Sequence, residues 1–381
     1  MGLLTVVWGA VFLYILWRAI RPLECRRPVR IALAAGLGIL FFKGIVLRRS
    51  MPLADLVPEW LSILFQWGFA IFAVFICLLV AADLCRLARW AYCKLRHRES
   101  TSRRGLDNAV NLALLAAAAA IAAQGVVNAR AVPELCQTEI FRKDLPPELD
   151  GFKIVLLSDL HVDKFTPPEF IPELVRRVNA LSPDLVAIVG DFSDGRVADF
   201  GPRIAALKNL RAKYGVFGVP GNHEYYTNYR ECMAYLRSLD VVMLENSRRT
   251  VTPHLVVAGI TDPAAERCRL PMPDLNAALE GIPEENFVLF LSHRPIYAKR
   301  AARMGADLQL SGHTHGGAMP VARIAAALVS GGFVAGRYQV GEMKLYVSRG
   351  TATWGTSLVN ALRIRLNTPS EITLIVLKRG V

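Results

Sequence analysis

Four long apolar stretches, Leu3 to Trp17, Ile31 to Leu47, Trp60 to Ala82 and Ala109 to Val127, dominate the first third of the chain. A helix needs roughly 20 predominantly apolar residues to cross the hydrocarbon of a bilayer. The pattern therefore predicts four transmembrane helices within residues 1–127. The third, with Phe65, Phe69, Phe72 and Phe75, fits that requirement best, whereas the second carries Lys43 and the fourth leans on the run Ala116 to Ala120. The first stretch lacks both a preceding basic region and a following small-residue cleavage site, so it reads as a retained helix rather than a signal peptide.

From Phe152 the texture changes to short apolar runs set between polar, helix-patterned segments. The runs are 153–157, 185–189, 216–219, 255–258, 287–291, 308–310, 345–347 and 372–376, and each reads as a buried strand. Pro168 to Leu181 and Pro202 to Tyr214 space apolar residues three or four apart and read as amphipathic helices. Strands alternating with helices predict an α/β domain. Residues 128–150, with Pro133, Pro146 and Pro147, read as a tether, giving a membrane domain over 1–127 and a folded domain over 151–381.

Composition agrees with this division. Of 381 residues 53% are hydrophobic and 20% charged, which excludes a disordered or fibrous chain. The formal net charge is +13, but residues 1–130 hold 16 Lys and Arg against 6 Asp and Glu, and the remainder 29 against 26. The excess thus flanks apolar segments, as membrane topology requires, instead of gathering on a folded face as nucleic-acid binding requires, and no nucleic-acid partner is expected. Arg18, Arg21, Arg26, Arg27 and Arg30 lie between the first two spans; Arg86, Arg89, Lys94, Arg96, Arg98, Arg103 and Arg104 lie between the last two; the middle loop has only Arg48 and Arg49. Positive flanks stay cytoplasmic. The expected location is the cell (inner) membrane, multi-pass, with the carboxy-terminal domain extracytoplasmic. A basic surface helix over 85–104 is the alternative. The seven cysteines are scattered without metal-type or paired spacing.

The chemistry-bearing residues come directly after the strands, where separate elements can share one cleft. They are Asp159-Leu160-His161, Gly190-Asp191, Gly221-Asn222-His223-Glu224, Ser292-His293 and Gly312-His313-Thr314-His315-Gly316-Gly317. Five of the chain's seven histidines fall here. On extended backbone Asp-x-His and His-x-His send alternate side chains to one side, which provides enough N and O ligands for a pair of cations.

These five blocks, in this order, resemble the calcineurin-like metallophosphoesterase superfamily over residues 150–381, and the whole chain is similar to the transmembrane proteins that carry a metallophosphoesterase domain. The resemblance implies a four-layer α-β-β-α sandwich. It implies one metal held by Asp159, His161 and His315, another by Asn222, His293 and His313, and Asp191 between them. Such donors suit manganese, iron or zinc. Water shared by two dications becomes acidic enough to attack phosphorus. By the same resemblance His223 is the acid for the leaving alkoxide, and Asp194 is the carboxylate that orients it, unless Asp194-Gly195 is simply a turn. Arg294 is placed to bind a substrate phosphate, or else begins a solvated helix before Pro295.

Two departures qualify the likeness. Gly195 separates Asp194 from Arg196, where phosphoprotein phosphatases of the superfamily place arginine directly, and Ala318 stands where many relatives have glutamine. Tyr225 and Tyr226 either line the pocket or pack in the core, and Trp354 and the stretch Val321 to Val334 either face lipid or are buried within the domain, the commoner fate of such residues. The expected activity is hydrolysis of a phosphodiester or pyrophosphate bond in a lipid or envelope intermediate. UDP-2,3-diacylglucosamine is an alternative substrate that conflicts with the expected orientation. A phosphate sensor or transporter is a third reading, weakened by the scarcity of intramembrane ionisable residues beyond Lys43 and Asp83.

Overall fold

All eight apolar runs lie on strands in the computed structural model, which describes residues 2–49, 59–98, 104–318, 320–353, 364–366 and 368–380. The chain divides into two units, Met1–Val127 with Ser357–Ile364, and Asn128–Thr356 with Arg365–Val381.

In the first unit α1 (Gly2–Ile15) runs into a π-helical turn (Leu16–Ile20), followed by α2 (Arg27–Arg49), α3 (Glu59–Leu95) and α4 (Arg104–Arg130). Two segments, Trp67–Leu95 and Asp107–Ala129, are long and apolar enough to cross a membrane, and Gly9–Ile20 is a shorter apolar helix. The side chains of Phe65 and Lys43 lie outside those described. The basic stretch expected to be a loop, or a separate surface helix, is helical as a continuation of α3 as far as Leu95. Asp83 on this helix accepts hydrogen bonds from Arg18 Nε at 2.8 Å, Tyr14 Oη at 2.8 Å and Arg86 Nη1 at 2.9 Å, while Arg86 Nη2 reaches Asp107 at 2.9 Å.

Among the described residues the second unit has twelve strands: β1 (Glu134–Arg142), β2 (Lys153–Leu157), β3 (Leu185–Val189), β4 (Val216–Val219), β5 (Val241–Met243), β6 (Ser247–Thr252), β7 (Leu255–Gly259), β8 (Phe287–Leu291), β9 (Leu308–Ser311), β10 (Gly336–Val340), β11 (Met343–Val347) and β12 (Glu371–Arg379). They form two six-stranded mixed sheets, ordered β1-β12-β2-β3-β4-β5 and β10-β11-β9-β8-β7-β6. The strands β2 to β5 run parallel to one another, as do β7, β8, β9 and β11. The expected tether therefore contains a strand, since β1 pairs in parallel with β12 from Glu134↔Glu371 to Arg142↔Arg379.

Strand alternation builds the layers. Ile154 and Leu156 face a core shared with Leu289 and Leu310 of the other sheet. Val155 and Leu157 face a second core completed by α5 (Phe170–Ala180), α6 (Val197–Ile204) and α7 (Tyr229–Arg237). A third lies between β7, β8 and β11 and the helices α8 (Leu275–Leu279) and α9 (Ala298–Arg303). The order is thus helices, sheet, sheet, helices. The helix expected from Pro202 begins earlier, because Phe200 and Ile204, four apart, carry the buried face; a 3-10 turn, Ala205–Asn209, follows it.

Candidate metal centre

Parallel strands bring all their carboxyl ends to one edge of a sheet, and the predicted residues collect there. Asp159 and His161 follow β2, Asp191 and Asp194 follow β3, Asn222 and His223 follow β4, His293 follows β8, and His313 and His315 follow β9. The loops after β2 and β3 continue the pairing of their strands: Asp159 N donates to Gly190 O at 3.1 Å, His161 N to Asp191 O at 3.0 Å and Val162 N to Phe192 O at 3.0 Å.

The local backbone is not the extended form expected from the Asp-x-His and His-x-His spacing. Asp159, His161, Asp191, His313 and His315 all have left-handed φ, between 44° and 71°. Such residues are uncommon outside glycine and cluster at functional sites, where the surrounding structure holds them. The same crowding explains two glycines. A Cβ at Gly221 would stand 2.2 Å from Asp191 Oδ1, and at Gly190 2.6 Å from His293 Nδ1.

Two groups of side chains converge. In the first, His161 Nε2 lies 3.1 Å from His315 Nε2, and His315 Nε2 lies 3.4 Å from Asp159 Oδ1. In the second, His293 Nε2 lies 3.2 Å from His313 Nδ1 and 3.2 Å from Asp191 Oδ2. Asp191 also faces the first group, with Oδ2 3.7 Å from His161 Nε2. His293 Nδ1 donates to Val189 O at 2.8 Å, which leaves Nε2 to face Asp191.

Asn222 donates from Nδ2 to Tyr226 Oη at 2.9 Å, yet its Oδ1 is buried with no hydrogen-bond partner among the described residues. A buried carbonyl oxygen without a donor is costly. Together with imidazole nitrogens aimed at common points and a donor set of nitrogen and oxygen, it fits two cation sites.

Electrostatics separate the groups. Burial raises the pKa of Asp159; burial also opposes the charge on Asp191, but His293 and His223 outweigh it and hold Asp191 well below the usual carboxylate range. His313 and His315 are kept neutral by burial and by His293 and His161 respectively. Burial opposes a charged His223, but Asp191 and Asp194 prevail and push it up to about 9.

Asp194 has two tasks where one was expected. It bonds His223 Nδ1, and its Oδ1 lies 3.3 Å from His161 Nδ1. Arg294 is held as a fork by the buried Asp262, with Nε at 2.7 Å and Nη2 at 3.1 Å, and its side chain stays partly exposed. Tyr226 is exposed and lies against His223, whereas Tyr225 is buried and stacks on Tyr229. Arg196 pairs with Asp199 at 3.1 Å. Trp354 lies outside the described residues.

Three residues at the centre escaped the sequence reading. Glu224, inside the Gly-Asn-His-Glu block, is only 1% exposed and accepts from Gly221 N at 2.7 Å, Phe192 N at 2.9 Å, Asp191 N at 3.0 Å and Ser193 N at 3.3 Å. Its block was the signal, but nothing in it distinguishes a ligand from a clamp. Asp262 and the buried Arg365, whose Nη2 lies 3.3 Å from His315 Nδ1, sit in no recognisable motif.

The family model described as calcineurin-like phosphoesterase matches residues 152–317, a span that contains every residue of the two converging groups. Over 331 residues the chain is 34% identical to the transmembrane protein with metallophosphoesterase domain of Bos taurus, covering 82% of this chain and 72% of that one. The Danio rerio protein of the same description is 34% identical over 344 residues, covering 86% and 76%. An uncharacterized metallophosphoesterase of Campylobacter jejuni is 30% identical over 335 residues, covering 88% and 85%.

Proposed function

This chain belongs to the calcineurin-like metallophosphoesterases, and from that premise we propose that it is a membrane-anchored, two-metal phosphoesterase that hydrolyses a phosphodiester or pyrophosphate bond in a lipid or envelope intermediate. The observation that carries the reading is the buried, unpartnered Asn222 Oδ1 beside imidazoles that converge from both sheets. Asp159, His161 and His315 would hold one ion and Asn222, His293 and His313 the other, with the Asp191 carboxylate facing both groups. The bound ions supply an acidic water and positive charge against the phosphoryl oxygens.

The protein's own groups do the rest. His223 keeps a proton at neutral pH, because Asp191 and Asp194 favour its charged form, and Asp194 fixes the ring through Nδ1, so that Nε2 can deliver the proton to the leaving oxygen. Arg294, fixed by Asp262, offers its remaining N–H donors to a phosphate oxygen.

Two features support a lipid-borne substrate. Helix α10 (Pro320–Val329) follows the His315–Gly317 turn directly and exposes Ile324, Leu328 and Val329 at 68%, 81% and 72%. An apolar face of that kind suits a lipid tail or the bilayer interface. Only residues 131–133 separate the end of α4 from β1, a short covalent link from an apolar helix to the phosphoesterase domain. We place four crossings in residues 1–127, with multi-pass insertion in the cell (inner) membrane and the phosphoesterase domain outside the cytoplasm. UDP-2,3-diacylglucosamine is the alternative substrate if the domain is cytoplasmic. The transport reading loses support from Asp83, whose carboxylate is already bound by Arg18, Arg86 and Tyr14.

The test is hydrolysis of bis-p-nitrophenyl phosphate by detergent-purified protein with manganese, beside Asp191→Ala. We expect a loss of at least about a thousandfold in the variant; equal rates would remove the two-metal reading. A cytoplasm-only fluorescent reporter fused after Val381 should stay dark, and a bright one would reverse the orientation.

A further inference from the structure

The amino-terminal unit contains a second chemical arrangement unrelated to the metal centre. A groove of about 440 Å³ is walled by Leu13, Leu16 and Ile20 from α1 and its π-turn and by Ile31 from α2, and two arginines, Arg21 and Arg30, line it as well. Arg18 pairs with Asp83, and Arg86 with Asp83 and Asp107. Arg30 Nη2 donates to Leu23 O at 2.9 Å and Cys25 O at 3.4 Å, which fixes the side chain, while its Nε, like Arg18 Nη2, is buried with no partner among the described residues. Arg21 is exposed, and among the described residues neither Arg21 nor Arg30 forms a salt bridge. A cleft with apolar walls and two lining arginines that form no salt bridge among the described residues is matched to a molecule with an apolar tail and an anionic head.

We propose that this groove binds one anionic phospholipid, with an acyl chain along Leu13, Leu16, Ile20 and Ile31 and its phosphodiester against Arg21 and Arg30. Charge complementarity selects this occupant. Residues 18–30 carry five arginines and a single acid, Glu24, and basic pockets at the ends of membrane helices take anionic head groups. Guanidinium recognises phosphate through paired, charge-assisted hydrogen bonds, whereas a zwitterionic head brings its own cation to the same place. The size falls within the range of ordinary ligand sites, roughly 300 to 1,000 Å³. The inference rests on the proposed membrane insertion of α1 and α2 and not on the catalytic reading, because no residue of the metal centre takes part.

The experiment is native mass spectrometry of the full chain in a mild detergent, titrated with phosphatidylglycerol and with phosphatidylcholine of identical acyl chains. We expect phosphatidylglycerol to be retained at about tenfold lower concentration. Arg21→Gln with Arg30→Gln should bring the two lipids within about twofold of each other. Ala34→Trp, which fills the groove and leaves both charges in place, should lose the bound lipid, and it decides the matter should the arginine variant fail to fold. Equal retention of the two lipids by the unaltered chain, an unchanged preference in the double variant, or a lipid still held by Ala34→Trp would each overturn the proposal. So would displacement of phosphatidylglycerol by millimolar inorganic phosphate, since the tail would then contribute nothing.

Discussion

The carboxylate of Glu224 receives the backbone N–H of Asp191 at 3.0 Å, and thereby fixes the residue that stands between the two ligand groups. Because the same carboxylate takes Gly221 N at 2.7 Å, it ties the loop after β3 to the loop after β4. Burial and the neighbouring Asp191 push its pKa up to about 7. Glu224→Gln puts an amide nitrogen where two N–H groups already point. It should cost about 1–3 kcal/mol of stability and about 10- to 100-fold in metal affinity. Thermal denaturation and manganese titration calorimetry check both, and unchanged curves would remove Glu224 from the positioning role.

His223 and Asp194 can be told apart by experiment. His223→Gln should lower kcat by about 10²- to 10⁴-fold on an alkyl diester while leaving metal content intact, and the loss should shrink with p-nitrophenolate, which leaves without a proton. Asp194→Asn should also lower metal content, since Asp194 contacts His161 as well as His223. Metal analysis beside kcat for the two leaving groups separates the roles.

Metal binding should release protons. In the metal-free protein burial opposes a charged His293, but Asp191 prevails and raises its pKa to about 10. A ligating imidazole must be neutral, so at pH 7 the ion displaces that proton and affinity should climb as pH rises, by at most about tenfold per pH unit for one proton. Calorimetry in two buffers of different ionisation heat measures the release directly. A heat that does not depend on the buffer would contradict the expectation.

Gly221→Ala should lower turnover by about 10²-fold as well as costing stability. The added Cβ would meet Asp191 Oδ1 at 2.2 Å and its N at 2.5 Å, and a misplacement near 1 Å costs about 10²-fold in rate. Gly281→Ala provides the contrast: φ is +73° with nothing within 4 Å. It should cost stability, about 1 kcal/mol, and leave turnover unchanged. Melting curves and rates on the same preparations decide the comparison.

Legibility from sequence followed burial. Val186 and Leu289 lie on strands buried along their whole length, and these appear as unbroken apolar runs. Arg249 on β6 and Arg337 on β10 lie on edge strands that are mostly open to solvent, so no apolar pattern announces them. β1 was concealed in the same way, with Glu134 and Glu139 among its residues. At the centre, residue types and their order were legible in Asp159, His161 and His313. The left-handed backbone that presents them was not, because nothing in an Asp-x-His pattern marks a positive φ. Asp262 and Arg365 act across long separations in the chain, and only folding reveals their partners.

The converging side chains are drawn from both sheets: Asp159, His161, Asp191 and Asn222 from one, His293, His313 and His315 from the other. Each ion would therefore rivet one slab of the sandwich to its neighbour. Mass action then makes cation supply a determinant of durability, worth about 2.7 kcal/mol at a hundred times the dissociation constant. On the proposed reading, starvation for the metal would leave the protein both idle and short-lived.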